Sequence, residues 1–78
     1  MNSQLEFVRI DVDVYHAVCD RHSICFIHQS SVWNDKWRAM TWKKRETIDE
    51  DMNRGKLWQR LRVWHAAEVA KGTDFENQ

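Results

Sequence analysis

The chain has no proline, only two glycines and only two cysteines among its 78 residues. Backbone chemistry therefore forces few turns. Two thiols are too few for the disulfide framework of a small secreted domain. We expect a cytoplasmic protein, in a compartment where thiols stay reduced.

An excess of charge and a long apolar run are also missing. Twelve Lys and Arg side chains balance 12 Asp and Glu, so the formal net charge is zero. No apolar run approaches the roughly 20 residues that a membrane-spanning helix needs. Residues 1–6 show neither a basic start nor an apolar stretch, so no signal peptide and no membrane partner are expected.

Signatures of catalysis are absent from the sequence. It has no glycine-rich phosphate loop, no nucleophile elbow and no metalloprotease helix. Asp11 and Asp13 could form a carboxylate pair, but alternation along a strand places them more simply on its outer face. We therefore predict no enzyme, no catalytic residue and no cofactor.

The residues that are present indicate a folded chain. Hydrophobic residues make up 42% and aromatic residues 12%, with five tryptophans. This content is far above that of disordered segments. A chain of this length buries one thin core, which predicts a single small domain over residues 1–78.

Residues 1–30 alternate in the manner of strands. Val8, Ile10, Val12 and Val14 are separated by polar residues, which is the period of a strand with one buried face. A polar turn at residues 20–23 then precedes a second apolar run at 24–28. We predict a β-hairpin over 1–30. The alternative is a helix over residues 14–28.

Residues 31–54 predict a first helix. One arc of a helical wheel collects Trp33, Trp37, Met40, Ile48 and Met52. Gly55 is the expected stop, because glycine adopts the left-handed position after a helix without penalty.

Residues 56–71 predict a second helix, whose arc holds Leu57, Trp58, Leu61 and Trp64. Residues 72–78 are expected to fray. The predicted fold class is therefore α+β, with the order ββαα. Alternatively, Thr47 and Glu50 form a capping box that moves the break between the helices to Thr47.

Cysteine and histidine recur at every third position of the predicted hairpin, as His16, Cys19, His22, Cys25 and His28. These are zinc-ligand residue types, yet a spacing of three gathers four of them neither on a strand nor on a helix. Only a loop around His22 could collect Cys19, His22 and Cys25. We therefore predict no metal site. The sequence leaves open whether the two cysteines are free, bridged or metal-bound.

Residues 36–45 combine basic and aromatic side chains without any acid. Residues 31–64 as a whole carry nine basic and five acidic groups. Phosphates can take the charges while bases stack on tryptophan. The candidate nucleic-acid contacts are Lys36, Arg38, Trp42, Lys43, Lys44 and Arg45.

Trp42 is the one tryptophan that lies on neither predicted core face. A large ring with arginines beside it is typical of interface hot spots. The candidate partner-binding residues are Trp42, Arg38, Arg45, Asp49, Leu61 and Trp64.

The sequence favours a small protein-binding module. It would act as an adaptor or inhibitor of another macromolecule and could pair with itself as a homodimer. Its size suits an accessory protein of a phage or mobile element. A nucleic-acid-binding regulator is the first alternative, and a small zinc-binding domain is the second.

Overall fold

The computed structural model describes residues 4–75, which form a five-stranded antiparallel sheet, one turn of 3-10 helix and one α-helix. The strands are β1 (Glu6–Asp11), β2 (Val14–Cys19), β3 (His22–Ser30), β4 (Lys36–Met40) and β5 (Thr47–Asp51). The 3-10 turn covers Ser31–Trp33, and helix α1 covers Arg54–Ala70. Each strand pairs with the next one in chain order, so the sheet is a simple meander.

Helix α1 covers one face of the sheet, and the core lies between them. Cross-strand partners share a face, and the registers place Ala17 beside Cys25 and Ile27 beside Ala39. All four are fully buried, as are Leu57 and Leu61 of α1. The complete buried apolar set is Leu5, Ala17, Ile24, Cys25, Ile27, Trp37, Ala39, Leu57 and Leu61. The strands therefore have a core face toward α1 and a second face away from it.

The predicted ββαα order is wrong, because the predicted first helix over residues 31–54 is absent and the only α-helical residue of that range is Arg54, which begins α1. The range otherwise holds the 3-10 turn followed by β4 and β5. Trp37 and Ala39 are buried in β4 while their neighbours are half-exposed, which is the alternation of a strand. Trp33 and Met40 therefore lie off the core, and Met52 is 64% exposed. The predicted helical arc grouped Trp33, Trp37, Met40 and Met52 on one face, whereas in the structure only Trp37 of these four lies in the core.

The predicted break at Gly55 is also wrong. Gly55 lies in the first turn of α1, without a positive φ. Asn53 caps this helix, and its side-chain oxygen accepts the Lys56 backbone N–H at 3.1 Å. The alternative break at Thr47 fails as well, because Thr47 begins β5. Of the two predicted helices only the second is present, as α1.

The predicted first strand is in fact two strands. β1 ends at Asp11 and β2 begins at Val14, and the two pair with each other. The next turn is shorter than expected, since only Asp20 and Arg21 separate β2 from β3. Both residues have positive φ, as a two-residue hairpin of type I′ requires. The alternative helix over residues 14–28 is therefore wrong too.

The end of the chain packs back on α1 as far as the structure describes it. The Phe75 ring lies 5.8 Å from Trp64 and 5.3 Å from His65, centre to centre. The frayed tail expected over 72–78 stays a prediction, with Phe75 placed against α1 and residues 76–78 outside the described residues. Between residues 4 and 75, no helix is both long and apolar enough to cross a membrane.

Candidate nucleic-acid interface

The sheet face turned away from α1, here called the uncovered face, carries rings and basic groups. The registers align two rows of side chains across it. One row runs through Val8, His16, Phe26, Met40 and Thr47. The other runs through Val14, His28, Arg38 and Glu50. Most of these side chains are half-exposed, and Val8 is 45% exposed.

Trp42 lies over the first row and forms the Trp42 cluster with His16 and Phe26. Its ring centre is 4.9 Å from His16, edge to face, and 4.8 Å from Phe26. Its indole N–H donates to the Ser23 hydroxyl at 2.9 Å, which fixes the ring on the sheet. Trp42 nevertheless stays 37% exposed. The cluster is therefore an oriented aromatic surface that keeps contact with solvent.

The β4–β5 connection brings Trp42 to this position. A backbone hydrogen bond from Thr41 N–H to the Glu46 carbonyl closes the loop, and the Thr41 hydroxyl accepts the Glu46 N–H. Arg45 has a positive φ of 53° within it. Its guanidinium lies 5.7 Å from the centre of the Phe26 ring. A cation thus borders the Trp42 cluster at cation–π distance.

A second group, the Trp33 cluster, lies beside the second row and consists of His28, Trp33 and Arg38. The 3-10 turn places Trp33 next to β3 and β4, with its ring centre 5.5 Å from His28, edge to face. The Arg38 guanidinium lies 4.2 Å from the centre of the Trp33 ring. Planar groups of this kind are the ones on which unpaired bases stack.

Alternation along β5 separates its acids between the two faces. Asp49 and Asp51 pair in register with Ala39 and Trp37, so they lie on the α1 side. There Arg60 contacts Asp49 at 2.7 Å and Asp51 at 2.9 Å. Glu50 remains on the uncovered face, where it contacts Arg38 at 2.9 Å and Lys36 at 3.7 Å.

The acids on the α1 side are held in their charged form. The hydrogen bond from Arg60 is the main cause that lowers the pKa of Asp49. The pKa of Asp51 is lowered first by the Asn53 backbone N–H and then by Arg60. Two of the three β5 carboxylates are therefore satisfied away from the ring clusters, which leaves basic groups prominent beside the rings.

The predicted partner-binding residues do not form one surface. Trp42, Arg38 and Arg45 share the uncovered face. Asp49 lies on the other side of the sheet with Arg60. Leu61 is fully buried in the core, so it cannot contact a partner. Trp64, which lies on α1, packs against Phe75. Strand alternation separates Asp49 from Arg38, whereas a helical wheel over residues 31–54 places both beside Trp42.

Most of the predicted nucleic-acid contacts, in contrast, lie near one another. Lys36 and Arg38 lie on the uncovered face, and Trp42 and Arg45 border it from the loop. Lys43 is exposed in the same loop. Lys44 instead lines a hollow on the α1 side together with Trp64 and Glu68. Most of this segment therefore belongs to one surface.

The cysteine–histidine series is dispersed by the sheet. Cys25 pairs with Ala17 on the core face, and Cys19 pairs with His22 rather than with Cys25. Cys25 is a free thiol, and burial raises its pKa to about 12. His16 and His28 belong to the two ring clusters instead. Among residues 4–75, no three His, Cys, Asp or Glu side chains are placed to hold a metal ion together.

The sequence did not identify Phe26, His16 and His28 as part of the candidate site. Their placement depends on which residues oppose each other across β2, β3 and β4. The turn alone could not have identified them, since a two-residue turn at Asp20 would pair His16 with Cys25. The register shift between Ala17 and Val18 moves the partner to Phe26. The predicted turn over residues 20–23 is also longer than the observed turn of two residues, Asp20 and Arg21.

Comparisons with known proteins identify no relative of this chain. No protein-family model matches the chain, and the searches of curated proteins and of solved structures found no significant match. The function is therefore argued from the side chains of the uncovered face alone.

Proposed function

We propose that this protein is a small binding module that takes single-stranded nucleic acid on its uncovered face. The observation that carries the proposal is the combination of two ring clusters with basic groups on that face. Most of the β5 acids lie on the other face. Sheets that bind unpaired RNA use the same combination, with rings for the bases and cations for the phosphates.

The ring clusters supply the stacking surface. Trp42 is fixed by Ser23 and His16 but remains partly exposed. An oriented ring loses little conformational freedom when a base stacks on it. Trp33, with Arg38 beside it, offers a second contact next to the first, because Phe26 and His28 are two residues apart on β3. Two neighbouring unpaired bases are the minimal ligand.

The basic side chains supply the phosphate contacts. Arg45 borders the Trp42 cluster from the loop, where Lys43 is exposed. Lys36 lies in β4 on the same face as Arg38. Glu50 contacts both Lys36 and Arg38, so a phosphate has to compete with that carboxylate. We therefore expect modest affinity that falls as salt rises. The role is a binding one, and it fits the cytoplasmic location expected from the sequence.

Fluorescence polarisation with short labelled oligo-dT and oligo-U tests the proposal. Trp42→Ala should weaken binding about 5- to 150-fold, because stacking on one base contributes about 1–3 kcal/mol. Arg45→Glu should weaken binding and flatten its salt dependence. Lys56→Glu is the matched charge control, since Lys56 is exposed on α1. Failure of the wild type to bind either oligonucleotide at low salt overturns the proposal.

A protein is the second candidate occupant, as the adaptor or inhibitor role requires. It is favoured by Val8, 45% exposed, on the same face as Trp42, and by Glu50, which offsets part of the positive charge there. The test uses nuclease-treated native extract. Any protein captured from the extract is purified and tested again for binding. Binding to the wild type and to Lys56→Glu, but not to Trp42→Ala, supports this candidate. Loss of every such protein after nuclease treatment contradicts it.

A further inference from the structure

The two edges of the sheet differ in how they meet solvent. An edge strand presents unpaired backbone N–H and C=O groups, to which another strand can add. β5 forms one edge and carries three consecutive acids, Asp49 to Asp51, so pairing with its own copy would bring like charges together. β1 forms the other edge and carries Val8 and Ile10, which are 45% and 54% exposed. Within residues 4–75, β1 is the edge that combines an unpaired side with exposed apolar side chains.

The sequence of β1 is compatible with pairing to itself. Two antiparallel copies in one sheet are related by a twofold axis perpendicular to it, so one residue must lie opposite its own copy. Centring the axis on Val8 pairs five of the six β1 residues, from Glu6 to Ile10, and places Arg9 across from Phe7. Centring it on Arg9 also pairs five residues but opposes two arginines. Charge thus selects the register with Val8 opposite Val8.

We propose that β1 is a self-association surface, along which two copies pair antiparallel with Val8 opposite Val8. The pair joins the two five-stranded sheets into one, with both α1 helices on the same side. The Trp42 clusters of both copies then lie on the other side of the joined sheet. This inference depends on β1 and does not require the nucleic-acid proposal to hold.

Single-cysteine cross-linking tests the register. The background variant is Cys19→Ser, because Cys19 is the half-exposed thiol and Cys25 is buried. Residues opposite each other in an antiparallel pair have Cα atoms about 4.5–5.5 Å apart, within the range that a disulfide spans. Val8→Cys should form a disulfide-linked dimer under mild oxidation, whereas Arg9→Cys should not. A dimer from Arg9→Cys and none from Val8→Cys overturns the register.

Analytical ultracentrifugation tests the association itself. The wild type should shift from monomer to dimer as concentration rises, and Val8→Lys should stay monomeric. Val63→Lys is the matched control, since Val63 is 71% exposed on α1 and should leave the dimer intact. Circular dichroism of both variants checks that they are folded. A wild type that stays monomeric at high concentration overturns the proposal. Oligonucleotide binding by Val8→Lys is a separate readout, so failure of one proposal is distinguishable from failure of the other.

Discussion

The covered and uncovered faces of the sheet have similar side chains in different arrangements. On the covered face, Phe7 stacks on Trp58 with ring centres 4.2 Å apart, and the Arg62 guanidinium lies 5.1 Å from the Phe7 ring. On the uncovered face, Trp42 and Trp33 contact rings and cations of their own layer, with no opposing helix. Rings and arginines are present on both faces, so composition does not tell which face is the core.

The two faces differ in the layer, sheet or helix, to which the neighbours of each ring belong. Tyr15 meets Trp37 of the sheet and Trp58 of α1, so rings of the covered face join two layers. The Trp42 cluster joins residues of the sheet and its loop alone. A ring between two layers stabilises the fold, whereas a ring on one layer retains surface for a ligand. The predictions below measure that difference, from the largest effect to the smallest.

The two cysteines should differ most in chemical reactivity. Cys25 is buried on the covered face, and burial raises its pKa to about 12, so almost no thiolate exists near neutral pH in the folded chain. In the native protein, Cys25 should be alkylated only when the chain unfolds. Its alkylation rate should therefore be several orders of magnitude lower without denaturant than in denaturant. Mass spectrometry of each cysteine after pulses of iodoacetamide measures the rates. Equal rates for Cys25 with and without denaturant would show that the core opens readily.

Neighbouring residues of β3 should differ in their effect on stability. Ile27 is fully buried on the covered face, so Ile27→Ala should lower the free energy of unfolding by about 2–5 kcal/mol. Phe26 is half-exposed on the other face, and Phe26→Ala should cost about 1–1.5 kcal/mol. Urea unfolding at low protein concentration measures both. If Phe26→Ala costs as much as Ile27→Ala, the uncovered face is covered in solution.

How far the sequence predicted this fold depends on segment length. Residues 56–71 correctly indicated a helix, because the pattern extends over many residues. The alternation from Val8 to Val14 indicated extended chain but missed the turn between β1 and β2. Its predicted buried face was also wrong, since Val8, Ile10 and Val12 are 45%, 54% and 69% exposed. β4 and β5 have five residues each, too few to separate a period of two from a helical arc. β5 also carries three acids, which strands generally disfavour. Its place depends on Arg60 of α1, a tertiary contact that no local pattern contains.

The candidate site was partly predictable for a related reason. Trp42 and the basic residues of 36–45 are contiguous in sequence, so their combination was visible as a motif. His16, Phe26 and His28 come from two other strands and join the site through cross-strand register alone. Leu61 was included wrongly, although the helical wheel of residues 56–71 had already placed it on the core face with Leu57, where the structure buries both fully.

Arg60 should control how acid affects the covered face. The folded-state pKa values of Asp49 and Asp51 lie below their unfolded values. Their contribution to stability is therefore present above about pH 4 and is lost as pH falls through the folded values. Arg60→Gln should reduce the difference in unfolding free energy between neutral and strongly acidic solution. Part of it should remain, since the Asn53 N–H still holds Asp51.

The matched control for that experiment is Arg62→Gln, because Arg62 is exposed on the same helix and stacks over Phe7 rather than on an acid. Its acid dependence should follow the wild type. Urea unfolding at a series of pH values provides the comparison. An Arg60→Gln profile parallel to the wild type would contradict a role for Arg60 in holding β5.

The smallest expected effect is an interaction between two residues at the start of α1. Asn53→Ala should destabilise by about 1 kcal/mol, because it removes the cap on the Lys56 N–H. Gly55→Ala should gain helix stability of up to about 0.5–1 kcal/mol. However, a Cβ at position 55 would lie 3.3 Å from Asn53 Oδ1, the capping oxygen itself. In the wild type this crowding opposes the gain.

A double-mutant cycle isolates that crowding. In the Asn53→Ala background the capping oxygen is gone, so Gly55→Ala should stabilise by its full amount. In the wild type it should stabilise by a few tenths of a kcal/mol less, measured by urea unfolding of all four proteins. Equal gains in both backgrounds would mean that the side chain of Asn53 moves away freely. A loss in both backgrounds would contradict the helical conformation of Gly55, because alanine is favoured over glycine wherever the backbone is helical.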